Sequence, residues 1–129
     1  MTFDKQGNLY VANSGRPAGR SGSARAYNAM GRQILAIKQV SAPVAVAFAA
    51  SGNLVVANQD SRLVSFYQPK SISPVRSITT AQPPATLLIG SGGNVYVGES
   101  YRVEVFAPGA SAPTRTLAIG ADAMIWGSK

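Results

Sequence analysis

A seven-residue segment that occurs three times constrains the fold of this chain more than any other feature. The copies read GNLYVAN at residues 7–13, GNLVVAN at 52–58 and GNVYVGE at 93–99. Glycine followed by asparagine favours a tight turn, because both residues tolerate a positive φ. The residues that follow are mostly β-branched, aromatic or small, which is typical of a short strand. Each copy therefore predicts a hairpin turn that leads into a strand.

The spacing of the copies predicts several strands per unit. The copies begin at residues 7, 52 and 93, so the repeat is 45 and then 41 residues long. Further strand-like runs follow each copy, separated by Gly, Pro and Asn. No segment keeps apolar residues at a helical period over three turns, so almost no helix is expected. A period near 40 residues with several short strands per unit predicts a β-propeller or a related array.

The sequence predicts an all-β fold, a β-propeller segment of about three four-stranded antiparallel blades plus the first strand of a fourth. It forms one domain over residues 1–129, with blade 1 at about 1–40, blade 2 at 41–79, blade 3 at 80–119 and the start of blade 4 at 120–129. The predicted strands of blade 2 are residues 43–48, 54–58, 63–67 and 74–78, and the predicted fourth strand of blade 3 is residues 114–117. The second strands are apolar at almost every position, which predicts that both of their faces are covered.

The repeats resemble a known family. GNLYVAN, the later RVEVF at residues 102–106 and the stretch FAPGASAPTRTL at 106–117 are similar to NHL-type repeats. They also resemble the gluconolactonase-like and YVTN repeat proteins, and repeats of bacterial propeller proteins without an assigned activity. The resemblance implies four-stranded blades, commonly six to a ring, with the first strand innermost. It implies no particular activity, because propellers have many unrelated functions.

The composition excludes several classes of protein and site. The chain has no cysteine and no histidine. Disulfide scaffolds, thiolate metal sites, Ser-His-Asp or Cys-His catalysis and histidine-ligated metals are therefore excluded. No apolar run approaches the length of a membrane helix. Residues 1–6 lack the layout of a signal peptide, so no export signal is expected in the chain as written, and the compartment is not fixed by the sequence.

The net charge of +7 favours anionic partners, although a solvated basic surface is the simpler interpretation. The longest predicted loop, residues 15–23, contains Arg16 and Arg20, and Arg25 follows it. These three side chains could hold a phosphate or sulfate. The loop does not fit the Walker pattern, because its glycine spacing is wrong and it has Arg in place of Lys. Nucleic-acid binding is not expected, because the tyrosines fall mostly on predicted strands rather than on a stacking surface.

Oxygen-bearing side chains at one repeat position are candidate metal ligands. Asn13, Asn58 and Glu99 each end the predicted second strand of a unit. Gluconolactonase-like propellers hold a divalent cation through oxygen ligands from different blades, so the resemblance implies a candidate calcium set here. The simpler alternative is that these side chains cap the following turn through an Asx bond, and no cofactor is predicted. Asp60 and Glu104 are expected to be exposed, and the carboxylates do not pair in sequence as a general acid and base.

Three blades cannot close a ring, since closed propellers have roughly four to eight. A lone three-bladed monomer is expected to be marginally stable, because the apolar faces of its first and last blades are uncovered. The missing blades would come from a second copy in a homodimer or from a longer protein. Residues 1–6 and 124–129 align with the same part of one innermost strand and would compete for it in a dimer. This redundancy favours the longer protein.

These observations predict a binding or scaffolding module that contacts a protein or an anionic ligand through its blade loops, above all residues 15–23. The alternative is part of a gluconolactonase-like, metal-dependent hydrolase whose full site needs further blades. The chain has only five carboxylates, whereas the hydrolase would need several of them near the propeller axis, so the sequence favours the binding module.

Overall fold

A computed structural model of the protein describes residues 1–13, 22–49, 51–90, 92–100 and 102–118. Within these ranges the chain forms twelve strands and no helix. In chain order they are β1 (Thr2–Phe3), β2 (Leu9–Asn13), β3 (Ser23–Tyr27), β4 (Gln33–Ile37), β5 (Pro43–Phe48), β6 (Leu54–Asn58), β7 (Leu63–Tyr67), β8 (Arg76–Thr79), β9 (Thr86–Ile89), β10 (Val95–Gly98), β11 (Arg102–Phe106) and β12 (Arg115–Ala118). The predicted first strand of a fourth blade lies outside the described residues.

The strands form three antiparallel sheets of four, each built from consecutive strands. We call them sheet 1 (β1–β4), sheet 2 (β5–β8) and sheet 3 (β9–β12). Strand β5 contacts β1, β2 and β9, so the first strands of the sheets are neighbours. The predicted all-β fold of three four-stranded units is thereby confirmed.

The repeated Gly-Asn segments form equivalent hairpins. Gly7, Gly52 and Gly93 have φ values of 85°, 93° and 84°. Each donates its N–H to the carbonyl three residues earlier, at 3.2, 2.9 and 3.0 Å respectively. A side chain at these positions would be strained, because L-residues with a Cβ disfavour this backbone region. The turn prediction from the sequence is confirmed in all three sheets.

The fourth strands begin later than the sequence predicts. We expected strands from residues 74 and 114, but β8 and β12 begin at Arg76 and Arg115. Pro74 and Pro113 come just before, and proline has no N–H to donate to a ladder. The residue after each proline instead makes a 2.7 Å backbone bond, from Val75 N–H to the Phe66 carbonyl in sheet 2 and from Thr114 N–H to the Val105 carbonyl in sheet 3. The Thr114 hydroxyl also donates to the Val105 carbonyl, at 3.1 Å.

The core consists of two layers between adjacent sheets. The layer between sheets 1 and 2 contains Tyr10, Ala24, Ala26, Ile37, Leu54, Val56 and Tyr67. The layer between sheets 2 and 3 contains Val55, Ala57, Val64, Phe66, Ile78, Val95, Val97 and Phe106. Strand β6 contributes alternate residues to both layers and is buried at every position. The prediction that this strand is covered on both faces is confirmed.

Individual polar contacts tie the sheets together. The buried Tyr67 hydroxyl donates to the Lys38 carbonyl of sheet 1 at 2.6 Å, and burial raises the pKa of Tyr67 to about 12. The Arg76 guanidinium lies 4.1 Å from the centre of the Phe66 ring. It also donates to the Ala110 carbonyl in the β11–β12 loop at 3.3 Å. Arg76 therefore joins the outer strand of sheet 2 to sheet 3.

The described part of the chain contains no helix that is long and apolar enough to cross a membrane.

Candidate functional site at the interface of sheets 2 and 3

Two glutamates share the face of sheet 3 that packs against sheet 2. Glu104 lies on β11 opposite Val97 of β10, and Val97 belongs to the core layer between these sheets. Glu99 follows β10 by one residue, and its N–H donates to the Arg102 carbonyl at 2.9 Å. Because side chains alternate along a strand, Glu99 is expected on the same face as Val97 and Glu104. We call Glu99 and Glu104 the acid pair.

The connection from β8 to β9 contributes further contacts to the acid pair. Ala81 N–H donates to Glu104 Oε1 at 3.1 Å. The Thr80 hydroxyl donates to the Gln82 carbonyl at 2.6 Å and holds the connection in shape. Glu99 is 1% exposed and Glu104 is 4% exposed. Both carboxyl groups are therefore withdrawn from solvent.

The Glu99 carboxyl lies near the Glu104 carboxyl and the Gln82 backbone, but it is poorly hydrogen-bonded. Among the residues that the structure describes, neither of its oxygens has a hydrogen-bond partner, and the same holds for Gln82 Oε1. Arg102 Nε lies 3.9 Å from Glu99 Oε1, at the outer limit of an ion pair. A buried polar atom without a partner is costly, and a buried charge is more so. The arrangement calls for a proton or a cation at Glu99.

Burial, and then the neighbouring Glu104 carboxyl, raises the pKa of Glu99 to about 8, although the Arg102 charge acts to lower it. A carboxyl with this pKa keeps its proton at neutral pH. The protonated group can donate toward the Glu104 carboxyl, which already accepts the Ala81 N–H. A proton at Glu99 is therefore sufficient to relieve most of the charge repulsion within the acid pair.

The equivalent positions in sheet 2 are neutral and fully hydrogen-bonded. Asn58, at the end of β6, is equivalent to Glu99, which follows β10. Ser65 is equivalent to Glu104, because Ser65 pairs with Val56 and Glu104 pairs with the equivalent Val97. Asn58 Oδ1 accepts the Ser41 N–H at 3.0 Å, and Nδ2 donates to the Leu63 carbonyl at 3.2 Å. Ser65 and Ser77 share a 3.0 Å hydrogen bond. In sheet 2 this position is thus a structural anchor.

The other predicted site residues are placed as follows. Asn13 ends β2 and is exposed, whereas Asn58 is 0% exposed within its anchor. Asn58 Oδ1 accepts the Ser41 N–H rather than an N–H of the turn that follows it, and Nδ2 spans that turn to the Leu63 carbonyl. The metal set of Asn13, Asn58 and Glu99 remains a prediction. Arg25 is exposed on β3 opposite Val11, and Arg16 and Arg20 lie outside the described residues.

The sequence-based prediction for Glu104 was wrong. We expected an exposed side chain on a third strand, but Glu104 is buried. The physical reason is that it faces sheet 2 and accepts a hydrogen bond from the connection to β9. A signal was present, because Phe106 is two residues away and therefore on the same face of β11. A large apolar residue at that spacing marks the covered face of the strand.

Comparison with known proteins extends the description of the fold. No family model and no curated protein matches the chain. Among solved structures, hydrazine synthase of Kuenenia stuttgartiensis superposes with a TM-score of 0.76 at 21% identity, over 92% of this chain and 35% of that one. A protein described as a gluconolactonase superposes with a TM-score of 0.71 at 17% identity, over 92% of this chain and 46% of that one.

The chain has the fold of a partial β-propeller. Its neighbours are related to it by fold alone, because both identities are low. The chain spans less than half the length of either structure.

Proposed function

We propose that this chain is a non-catalytic binding and scaffolding module, and that it forms part of a propeller of about six blades. The observation that carries the proposal is the enclosure of the acid pair, with Glu99 only 1% and Glu104 only 4% exposed. A hydrolase needs a carboxyl group within hydrogen-bond reach of its substrate or of the attacking water. A carboxyl pair closed between two sheets suits a structural role better than turnover.

Side chains on the outer face of sheet 3 support a further blade. Leu88 and Leu117 are 41% and 40% exposed, and their register places them on the face that points away from sheet 2. Arg115 is paired with Val105 of β11, just as Arg76 is paired with Phe66 of β7. Arg76 reaches across to the next sheet, whereas Arg115 is exposed. The partner would be the remaining blades of a longer chain or a second copy.

Joining two copies of the chain in one polypeptide tests the scaffolding role. We would join residue 123 of the first copy to residue 1 of the second, which keeps a connection as long as those that lead from β4 to β5 and from β8 to β9, and compare melting temperature and sedimentation with the single chain. The joined form is expected to be monomeric and to melt at a higher temperature, because it buries the outer faces. A single chain that stays monomeric and melts at the same temperature as the joined form would contradict the proposal.

The binding role rests on the loops and on the basic charge. The net charge of +7 favours an anionic ligand or an acidic protein surface, and Arg16, Arg20 and Arg25 are the proposed contacts. Retention on an immobilised polyanion should fall steeply with salt. The triple Arg→Ala variant should elute at lower salt than a variant in which Arg32, Lys38 and Arg115, which are exposed, are replaced by Ala, although both lose the same charge.

A metal-dependent hydrolase of the gluconolactonase kind is the second candidate. The Glu99 oxygens favour it, because they have no hydrogen-bond partner within the part of the chain that the structure describes. Carboxylate and amide oxygens suit calcium, so Asn13, Asn58 and Glu99 would be the ligands. Asn58 fits a cation less well, because its Oδ1 already accepts the Ser41 N–H.

Calcium separates the two candidates. For the binding module, added calcium should leave the melting temperature unchanged and gluconolactone should not be hydrolysed above the background rate. A calcium-dependent rise in melting temperature that disappears in Glu99→Gln, together with hydrolysis, would instead support the hydrolase. Asp60→Asn, at an exposed carboxylate, is the matched control.

A further inference from the structure

Lys70 occupies a turn position where the equivalent residue of sheet 3 is glycine. The turn after β7 is closed by Ser71 N–H, which donates to the Gln68 carbonyl at 3.0 Å. Lys70 has a φ of 61°, and its counterpart Gly109 has a φ of 78°. Glycine is the usual residue in this left-handed region, since a Cβ strains it. Strain that a glycine would avoid is often retained for function, which makes the Lys70 side chain a candidate for a role.

The Lys70 side chain lines a cavity of about 340 Å³ between the hairpin ends of sheets 1 and 2. Phe3, Tyr10, Phe48 and Pro69 form its apolar lining. The Tyr10 and Phe48 rings pack edge to face, with their centres 5.0 Å apart and an interplanar angle of 90°. Ligand pockets span roughly 300–1,000 Å³, so this cavity suits a small molecule. Its aromatic lining favours a flat apolar group.

The charged groups of the cavity leave a net positive charge. Lys5 and Lys70 line it together with Asp4. The Asp4 carboxylate accepts hydrogen bonds from Gln6 N–H, Asn8 N–H and Asn8 Nδ2 at 2.9, 2.8 and 2.9 Å. Its oxygens are thus satisfied within their own hairpin. The Lys70 charge acts on the Asp4 carboxylate through space, but Asp4 is already held by its own hairpin, so an external anion can compete for the Lys70 ammonium.

We propose that this cavity binds a small aromatic carboxylate, with its ring against Tyr10 and Phe48 and its anionic group at the Lys70 ammonium. Ring packing and a charge-assisted hydrogen bond together select an aromatic monoanion over a neutral aromatic or a simple anion. The inference names a ligand class for the proposed binding module. It does not involve the acid pair, which belongs to sheet 3, whereas the cavity is lined by residues of sheets 1 and 2, so the calcium and lactone measurements do not bear on it.

Calorimetric titration of the chain with phenylacetate, and with its neutral analogue phenylacetamide, tests the proposal. Phenylacetate should bind at least about tenfold more tightly than phenylacetamide, because only the carboxylate can pair with Lys70. Lys70→Gly should lower the affinity for phenylacetate at least about tenfold and yet raise the melting temperature, since it relieves the strained turn. Lys70→Met should lose the affinity without the rise in melting temperature.

Gln39→Gly is the matched control for strain. Gln39 also has a φ of 61°, is exposed and does not line the cavity, so this variant should raise the melting temperature without changing the affinity. Undetectable binding of phenylacetate at millimolar concentration, equal binding of the amide, or unchanged affinity in Lys70→Gly would each overturn the proposal. Displacement of phenylacetate by a lower concentration of sulfate or of a short oligonucleotide would overturn the ligand class.

Discussion

Sheets 2 and 3 have the same strand order and, apart from a shift between Pro43 and Ala45 of β5, the same register, but they differ at one buried polar position. Sheet 2 has Asn58 and Ser65 there, and the Asn58 side chain meets partners on both its oxygen and its nitrogen. Sheet 3 has Glu99 and Glu104, and the Glu99 oxygens have no hydrogen-bond partner among the described residues. The same backbone arrangement accommodates both pairs of side chains, but only in sheet 3 does stability depend on a proton, the one at Glu99. The difference shows that repeated units can share a fold although the stability of only one of them depends on the protonation of a buried carboxyl group.

The largest expected effect is a pH dependence that originates in sheet 3. Glu99 holds its proton up to a pKa of about 8 in the folded chain, against an ordinary value of 4.5. The folded state therefore binds more protons in this interval, and the free energy of unfolding falls as the pH rises through it. The slope can reach about 1.4 kcal/mol per pH unit. Denaturant unfolding from pH 5 to pH 9 measures it.

Glu99→Gln removes the titrating group and should flatten this dependence. At pH 8.5 the variant is expected to be more stable than the parent by about 3 kcal/mol, because the amide can donate to Glu104 and carries no charge. Asp60→Asn, at an exposed position, should leave the slope unchanged. A Glu99→Gln variant with the parent's pH profile would show that the acid pair is not the source.

Breaking the anchor of sheet 2 should have the next largest effect. Asn58→Ala leaves the Ser41 N–H and the Leu63 carbonyl without their side-chain partner, at an expected cost of about 2 kcal/mol in the free energy of unfolding. This cost should be the same at pH 5 and at pH 9, unlike the effect of Glu99→Gln. If Asn58→Ala left the free energy of unfolding unchanged, Asn58 would not be a structural anchor of sheet 2, and the contrast with sheet 3 would be wrong.

The smallest effect concerns the arginines of the outer strands. Arg76→Ala should cost about 1 kcal/mol, because Arg76 stacks on Phe66 and bonds to the Ala110 carbonyl. Arg115→Ala should have almost no effect on the single chain, since Arg115 is exposed. In the joined two-copy polypeptide the Arg115→Ala change in the first copy should approach the cost of Arg76→Ala. If Arg76→Ala and Arg115→Ala lowered the free energy of unfolding of the single chain equally, the contacts of Arg76 with sheet 3 would not be stabilising.

The sequence predicts the local structure well because the hairpin chemistry is local. The Gly-Asn turns, the strand alternation and the two-sided burial of β6 all depend on residues within a few positions of one another. The acid pair could not be predicted in the same way. Its properties arise from contacts between sheet 3 and the connection near Ala81, which is more than twenty residues away from Glu104 along the chain. The cavity at Lys70 likewise depends on how sheet 1 meets sheet 2.

Strand β6 lies at the centre of the described structure, buried at every residue and packed on both sides. Its amide protons should consequently be the slowest in the chain to exchange with deuterated water, because both neighbouring sheets must separate before they are reached. Unravelling can start at either outer sheet and proceed inward. The middle unit would then be the last to lose order and the natural seed for refolding.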